Sequence, residues 1–191
     1  DHARKTFDQA VNLIDHVDGG IYQYSDQEDW KSPHYEKIMF YQASALRQYS
    51  AAYAMWRHPA YKQAADDIYR YLTTTLRTSS GAFATSQDAD VDQDLHGKDY
   101  YGLDAAGRRS LGRSPRIDAN VYARENGWAI QGLVAYYSAT GEHAALDSAV
   151  SAAKVILQAR GIDGGGFRHG EAERGGPFLS DTLAMGQAAL D

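Results

Sequence analysis

The chain has 191 residues, 43% hydrophobic and 23% charged, values that fit one globular domain with a core of its own. Its 25 acidic and 19 basic residues leave a formal charge of -6 without any Lys/Arg-rich run, which argues against a nucleic-acid partner, and no apolar stretch approaches the roughly 20 residues of a membrane span. The lack of cysteine excludes disulfides, thiolate nucleophiles and Cys-ligated zinc.

Phe7, Ala10, Val11 and Ile14 fall at helical spacing, so a helix is expected over 3–16, stopped by Asp18-Gly19-Gly20. A long helix over 34–57 follows from Ile38, Tyr41, Ala45, Leu46, Tyr49, Tyr53 and Trp56, with Pro33 at its first turn. His58-Pro59 breaks it, and Tyr61, Ala64, Ala65, Ile68, Tyr71, Leu72 and Leu76 predict a second, antiparallel helix over 60–77. Residues 79–120, rich in Gly, Asp, Ser and Arg, read as a long loop inserted in the domain, with at most short ordered pieces. Periodicity returns over 123–139 and 144–159, a second hairpin turning at Thr140-Gly141-Glu142-His143. Pro177-Phe178-Leu179-Ser180-Asp181 opens a last helix with Leu183, Met185 and Leu190; it stops at Asp191 without a Gly or polar cap, so the natural polypeptide is expected to continue.

The chain also repeats itself. Slid so that Tyr53 meets Tyr137 and Ala65 meets Ala149, it aligns Gly81-Ala82-Phe83 with Gly165-Gly166-Phe167, and a weaker copy adds Gly19-Gly20-Ile21. A unit of helix, turn, helix and Gly-Gly-aromatic exit cannot bury its apolar stripe alone, so an all-α stack of about three hairpins sharing one core is expected.

Four polar clusters lie at these exits or at the starts of the helices that follow. Asp29, Trp30, His34, Tyr35 and Glu36 lead into the long helix, with helix capping by Asp29 or Ser32 as the alternative reading. Asp88 and Asp90 are spaced for acid-base work, or form an Asp-rich turn bonded to its own backbone. Arg124, Glu125, Asn126 and Trp128 open the second hairpin, as substrate contacts or as an internal ion pair. His169, with Asp181 beyond it, is either a site residue or a hydrogen-bonded structural histidine. There is no nucleotide-binding glycine loop, Ser-His-Asp order, zinc helix or calcium loop, so neither cofactor nor metal is expected. What remains is carboxylate and histidine chemistry on a polyhydroxylated substrate: His34, Glu36, Asp88 and Asp90 as catalytic candidates, the other named residues as substrate contacts.

The segments Gly19-Gly20-Ile21-Tyr22-Gln23-Tyr24-Ser25, Asp29-Trp30, Pro33-His34-Tyr35-Glu36-Lys37-Ile38-Met39, Gln87-Asp88-Ala89-Asp90 and Arg124-Glu125-Asn126-Gly127-Trp128 together resemble a known family. It is that of the thioredoxin-domain-containing proteins related to spermatogenesis-associated thioredoxin-like protein, and the likeness runs across nearly all of the chain. The resemblance implies a partial (α/α)6 toroid, like the domains of N-acylglucosamine 2-epimerase, cellobiose 2-epimerase and six-hairpin glycosidases, here with about three of six hairpins. It implies a carbohydrate substrate, and as partners a thioredoxin-like domain or the remaining hairpins. The chain has no Cys-x-x-Cys, and it carries Gln87 where the family often has an acidic residue. An epimerase- or glycosidase-type enzyme is thus expected, or else a non-catalytic module that binds glycan or peptide, in the cytoplasm rather than the periplasm.

Overall fold

Helices carry the fold of the computed structural model, which describes residues 2–171 and 177–191. Eight α-helices occur among them: α1 (His2–Ala10), α2 (Met39–Trp56), α3 (Pro59–Tyr71), α4 (Gly97–Tyr101), α5 (Ala105–Leu111), α6 (Ala123–Thr140), α7 (His143–Arg160) and α8 (Leu179–Leu190). Five two-residue strands join them: β1 (Tyr24–Ser25), β2 (Pro33–His34), β3 (Lys37–Ile38), β4 (Ser86–Gln87) and β5 (Ile117–Asp118). None of the described helices is long and apolar enough to cross a membrane.

Helices α2, α6 and α8 line up side by side and parallel. Phe40 meets Trp128 and Gly132 sits against Ala43 between the first two; Asp181 meets Arg124 and Gly127 sits against Ala184 between the second two. Helices α3 and α7 fold back antiparallel behind them. Arg57, in the left-handed region at φ 51°, ends α2, and Pro59 starts α3 where a missing N–H does no harm. Gly141 ends α6 at φ 77° in the same way. Tyr136 of α6 stacks on Tyr69 and donates to Asp66 Oδ1 at 2.7 Å, fixing α3 against the second hairpin. Parallel inner helices backed by antiparallel outer ones are the half-toroid expected, and their N-termini open at one end.

The repeat is also visible in the exits. Ile14 pairs with Ile21, Arg77 with Phe83 and Gly161 with Phe167, each an isolated antiparallel bridge that returns the chain from an outer helix toward the next inner one. Fully buried Asn126 locks the second exit to α6: its amide oxygen accepts from Phe83 N–H at 2.8 Å, and its amide nitrogen donates to the carbonyls of Phe83 and Tyr122. Asn126→Ala should therefore destabilise the chain by roughly 2–3 kcal/mol, because the Phe83 amide loses its partner inside the core; urea unfolding of both chains measures it.

Three boundaries differ from expectation. The first helix ends at Ala10, followed by a single 3-10 turn over Val11–Leu13, and the helix of the first hairpin widens after Tyr71 into a π-turn over Leu72–Leu76. The long helix begins at Met39, so Pro33, His34 and Glu36 are not in its first turn. Strand pairing wins there: Tyr24 and Ser25 pair with His34 and Pro33, Lys37 and Ile38 with Gln87 and Ser86, and Met39 N–H donates to Thr85 O at 2.9 Å. Within 79–120 the chain forms β4, α4, α5 and β5, with Asp104 capping α5 through a 2.8 Å bond from Gly107 N–H.

Candidate active site

The sheet β3-β4-β5 draws three polar segments to the open end of the inner helices: Ser86 and Gln87 pair with Ile38 and Lys37 on one side and with Asp118 and Ile117 on the other. His34 and Glu36 precede the first strand and Asp88 and Asp90 follow the second. The imidazole of His34 is stacked on Tyr24, with ring centroids 5.0 Å apart, and its Nε2 lies 3.7 Å from Glu36 Oε2, both side chains partly open to solvent. Asp90 accepts from Gly97 N–H at 2.6 Å and lies 3.4 Å from His96. The Gly97 amide, with help from His96 and His34, holds the Asp90 carboxyl below its usual range. Gly97 also packs on Tyr35, whose ring stacks on Tyr101 at 5.3 Å. Thus His34, Tyr35, Glu36 and Asp90 come together. Asp88 turns to Arg116 instead, its Oδ2 accepting from Nε at 2.9 Å.

Asp29 closes a turn, accepting from the amides of Lys31 and Ser32 at 2.8 and 3.2 Å; the Lys31 amide above all holds its carboxyl below the usual range. That turn carries Trp30 at φ 57°. Trp30, Tyr24, Leu13, Gln23 and Asp26 line a hollow of about 550 Å³. Tyr24 therefore belongs both to the hollow and to the stack on His34.

Beneath this region lies a charged group that sequence reasoning did not single out. Lys37 is fully buried and donates to Asp15 Oδ2 and Gly19 O, both at 2.7 Å, inside a box of Tyr22, Tyr71 and Tyr101. Arg108 of α5 donates to the same Asp15 oxygen at 2.7 Å and to Asp18 Oδ2 at 2.7 Å, anchoring the 79–120 insertion. Burial pushes the Lys37 ammonium down to about 8 against the pull of Asp15. Burial pushes Asp15 the other way, but Lys37 and Arg108 overcome it and hold the carboxyl low. The available signal was strand alternation: in β3, Lys37 points away from the face that Glu36 and Ile38 share, toward the core.

A second polar group joins the starts of α6 and α8. Asp181 Oδ1 accepts from Arg124 N–H at 2.8 Å, capping α6 from the neighbouring helix, and lies 2.8 Å from His169 Nδ1. Glu125 Oε1 accepts from Arg124 Nη2 at 2.6 Å, and the same guanidinium covers the Trp128 ring at 4.9 Å. His169 stacks on Tyr122 with centroids 4.1 Å apart. So Arg124, Glu125, His169 and Asp181 also come together, while Asn126 spends its amide on the backbone. Beside this group, the Trp128 ring meets Phe40 at the start of α2, with centroids 5.1 Å apart.

This fold is that of sugar epimerases and six-hairpin glycoside hydrolases. Cellobiose 2-epimerase from Bacillus thermoamylovorans superposes on 97% of the chain with a TM-score of 0.71 at 19% identity, and the chain spans 47% of that enzyme. Unsaturated glucuronyl hydrolase from a Bacillus species matches 91% of the chain at a TM-score of 0.64 and 15% identity, over 42% of its own length. In sequence the chain is homologous in part to spermatogenesis-associated protein 20: the mouse protein is 37% identical over 78 residues, 41% of this chain and 10% of the mouse protein. The sequence likeness is thus narrower than the resemblance implied, whereas the structural one covers nearly the whole chain. The chain spans about half the length of the epimerases it matches, and no protein-family model matches it.

Proposed function

We propose that the chain is a carbohydrate-active domain of epimerase or glycosidase type, with His34 and Glu36 exchanging protons with a sugar bound in the hollow beside Trp30. The observation that carries this reading is Tyr24, one ring that both lines the hollow and stacks on His34, so a ligand there comes beside the imidazole-carboxylate pair. Hollows of this size, with aromatic walls and a few convergent polar groups, suit small polyhydroxylated ligands. The depressed carboxyl of Asp90 stays ionised through neutral pH, so Asp90 supplies negative charge and the proton donor is His34 or Glu36. Asp88, held by Arg116, fixes the segment that carries Asp90. The Trp128 ring is covered by Arg124, which leaves Trp30 as the stacking surface.

The test is a panel of cello-oligosaccharides and N-acyl hexosamines followed by proton NMR. Glu36→Gln should lower the turnover of the converted sugar by about 100-fold or more with an unchanged unfolding midpoint. Equal turnover by the variant overturns the assignment of Glu36. Binding without conversion by the parent chain overturns the enzyme reading in favour of a glycan-binding module, and no binding overturns both.

A further inference from the structure

The starts of α6 and α8 hold two carboxylates that the proposed sugar chemistry leaves unused. Glu125 and Asp181 are both more than nine-tenths buried. One oxygen of each is occupied: Glu125 Oε1 by the Arg124 guanidinium, Asp181 Oδ1 by the Arg124 amide and His169. The other two, Glu125 Oε2 and Asp181 Oδ2, are buried without a hydrogen-bond partner among the described residues. Buried carboxylate oxygens without a donor are strongly unfavourable, and here two occur in one small group.

We infer that Glu125, Asp181 and His169 form a binding site for one divalent transition-metal ion. One ligating atom from each of the three lies within 4.8 Å of the others. Two metal bonds of about 2.2 Å span at most ~4.4 Å, so closure around an ion needs only a small contraction. Formal charge favours a cation: among the described residues of the group, two carboxylates against the Arg124 guanidinium leave -1 with a neutral imidazole. The donor set selects the class, since an imidazole with two carboxylates suits manganese or zinc, whereas magnesium and calcium prefer oxygen alone. The supporting contacts are those of a held ligand: His169 is clamped on Tyr122, its carbonyl accepts from Ala123 N–H at 2.9 Å, and both carboxylates are oriented through Arg124.

The experiment is titration of the chelator-treated full chain with manganese chloride and with zinc chloride, followed by calorimetry and, for manganese, by electron paramagnetic resonance. One ion per chain is expected, with Glu125→Gln and Asp181→Asn each weakening its affinity about 10–100-fold. If Asp181→Asn fails to fold for want of its cap on α6, the isosteric Glu125→Gln alone decides. Absence of uptake, as when the two carboxylates share a proton, overturns the site; uptake of equal affinity by the parent and Glu125→Gln does so too. No sugar enters the measurement, so its outcome is separate from that of the proposed activity.

Discussion

Lys37→Met is expected to lower the unfolding free energy by about 3–5 kcal/mol, the range for breaking a buried ion pair by removing one partner. The substitution fills the tyrosine box with an apolar chain but leaves Asp15 paired with Arg108 alone among the described residues and takes the donor from the Gly19 carbonyl. Removing the other partner as well should recover part of the loss, so Lys37→Met/Asp15→Asn is expected to be less destabilised than the sum of the single variants. Additivity in urea unfolding would mean that the two charges do not couple. The pH dependence has a definite sign. Lys37 titrates at about 8 in the fold against 10.5 outside it, so the unfolded chain binds more protons in that interval and the Lys37 contribution rises with pH across it. Tyr22, Tyr71 and Tyr101 are held above their ordinary 10.0 by burial, a contribution complete below that pH and lost above it. The stability gain relative to Lys37→Met should therefore appear between about pH 8 and pH 10. At the acid end, the low carboxyl of Asp15 contributes stability above its unfolded value of 3.8, and that is lost as pH falls through the lower folded value.

These two sides of the molecule differ in how far the sequence reveals them. Helices α6 and α7 were readable almost to the residue, because a strong apolar period meets Gly141 at a turn that only a left-handed residue closes well. The exits were readable for the same kind of reason, a glycine followed two residues on by Ile21, Phe83 or Phe167 in the three copies. The start of α2 was not: Pro33 suits a helix start and a short edge strand equally, and the choice is made by Tyr24, Ser25 and Gln87, residues outside any helical window. The charged groups are harder still. Asp15 lies 22 residues from Lys37 and 93 from Arg108, and Arg124 lies 57 from Asp181, so each pairing exists only once the hairpins have packed. The candidate residues were therefore legible as types, while their division into a His34 group and an Asp181 group was not.

That second group depends on how closely α6 and α8 approach, and the controlling residue is Gly127. A methyl group there would stand 2.7 Å from the backbone carbonyl carbon of Ala184 and 2.8 Å from its oxygen, contacts that no side-chain rotation relieves. Helix propensity alone predicts that Gly127→Ala stabilises the chain by about 1 kcal/mol. Overpacking predicts the opposite sign, a loss of about 1–3 kcal/mol, with Gly127→Val at the upper end or beyond. We expect the loss, because relief requires α8 to move outward, which strains the bond from Gln131 Nε2 to Ala184 O and that from Arg124 N–H to Asp181 Oδ1. Amide hydrogen exchange reads the local consequence: the Arg124 amide, protected by Asp181 in the parent chain, should exchange faster in both variants, while amides in the middle of α2 keep their relative protection. A Gly127→Ala chain more stable than the parent, with Arg124 still protected, would show that helix propensity outweighs the contact and that α8 does not hold the start of α6 in place.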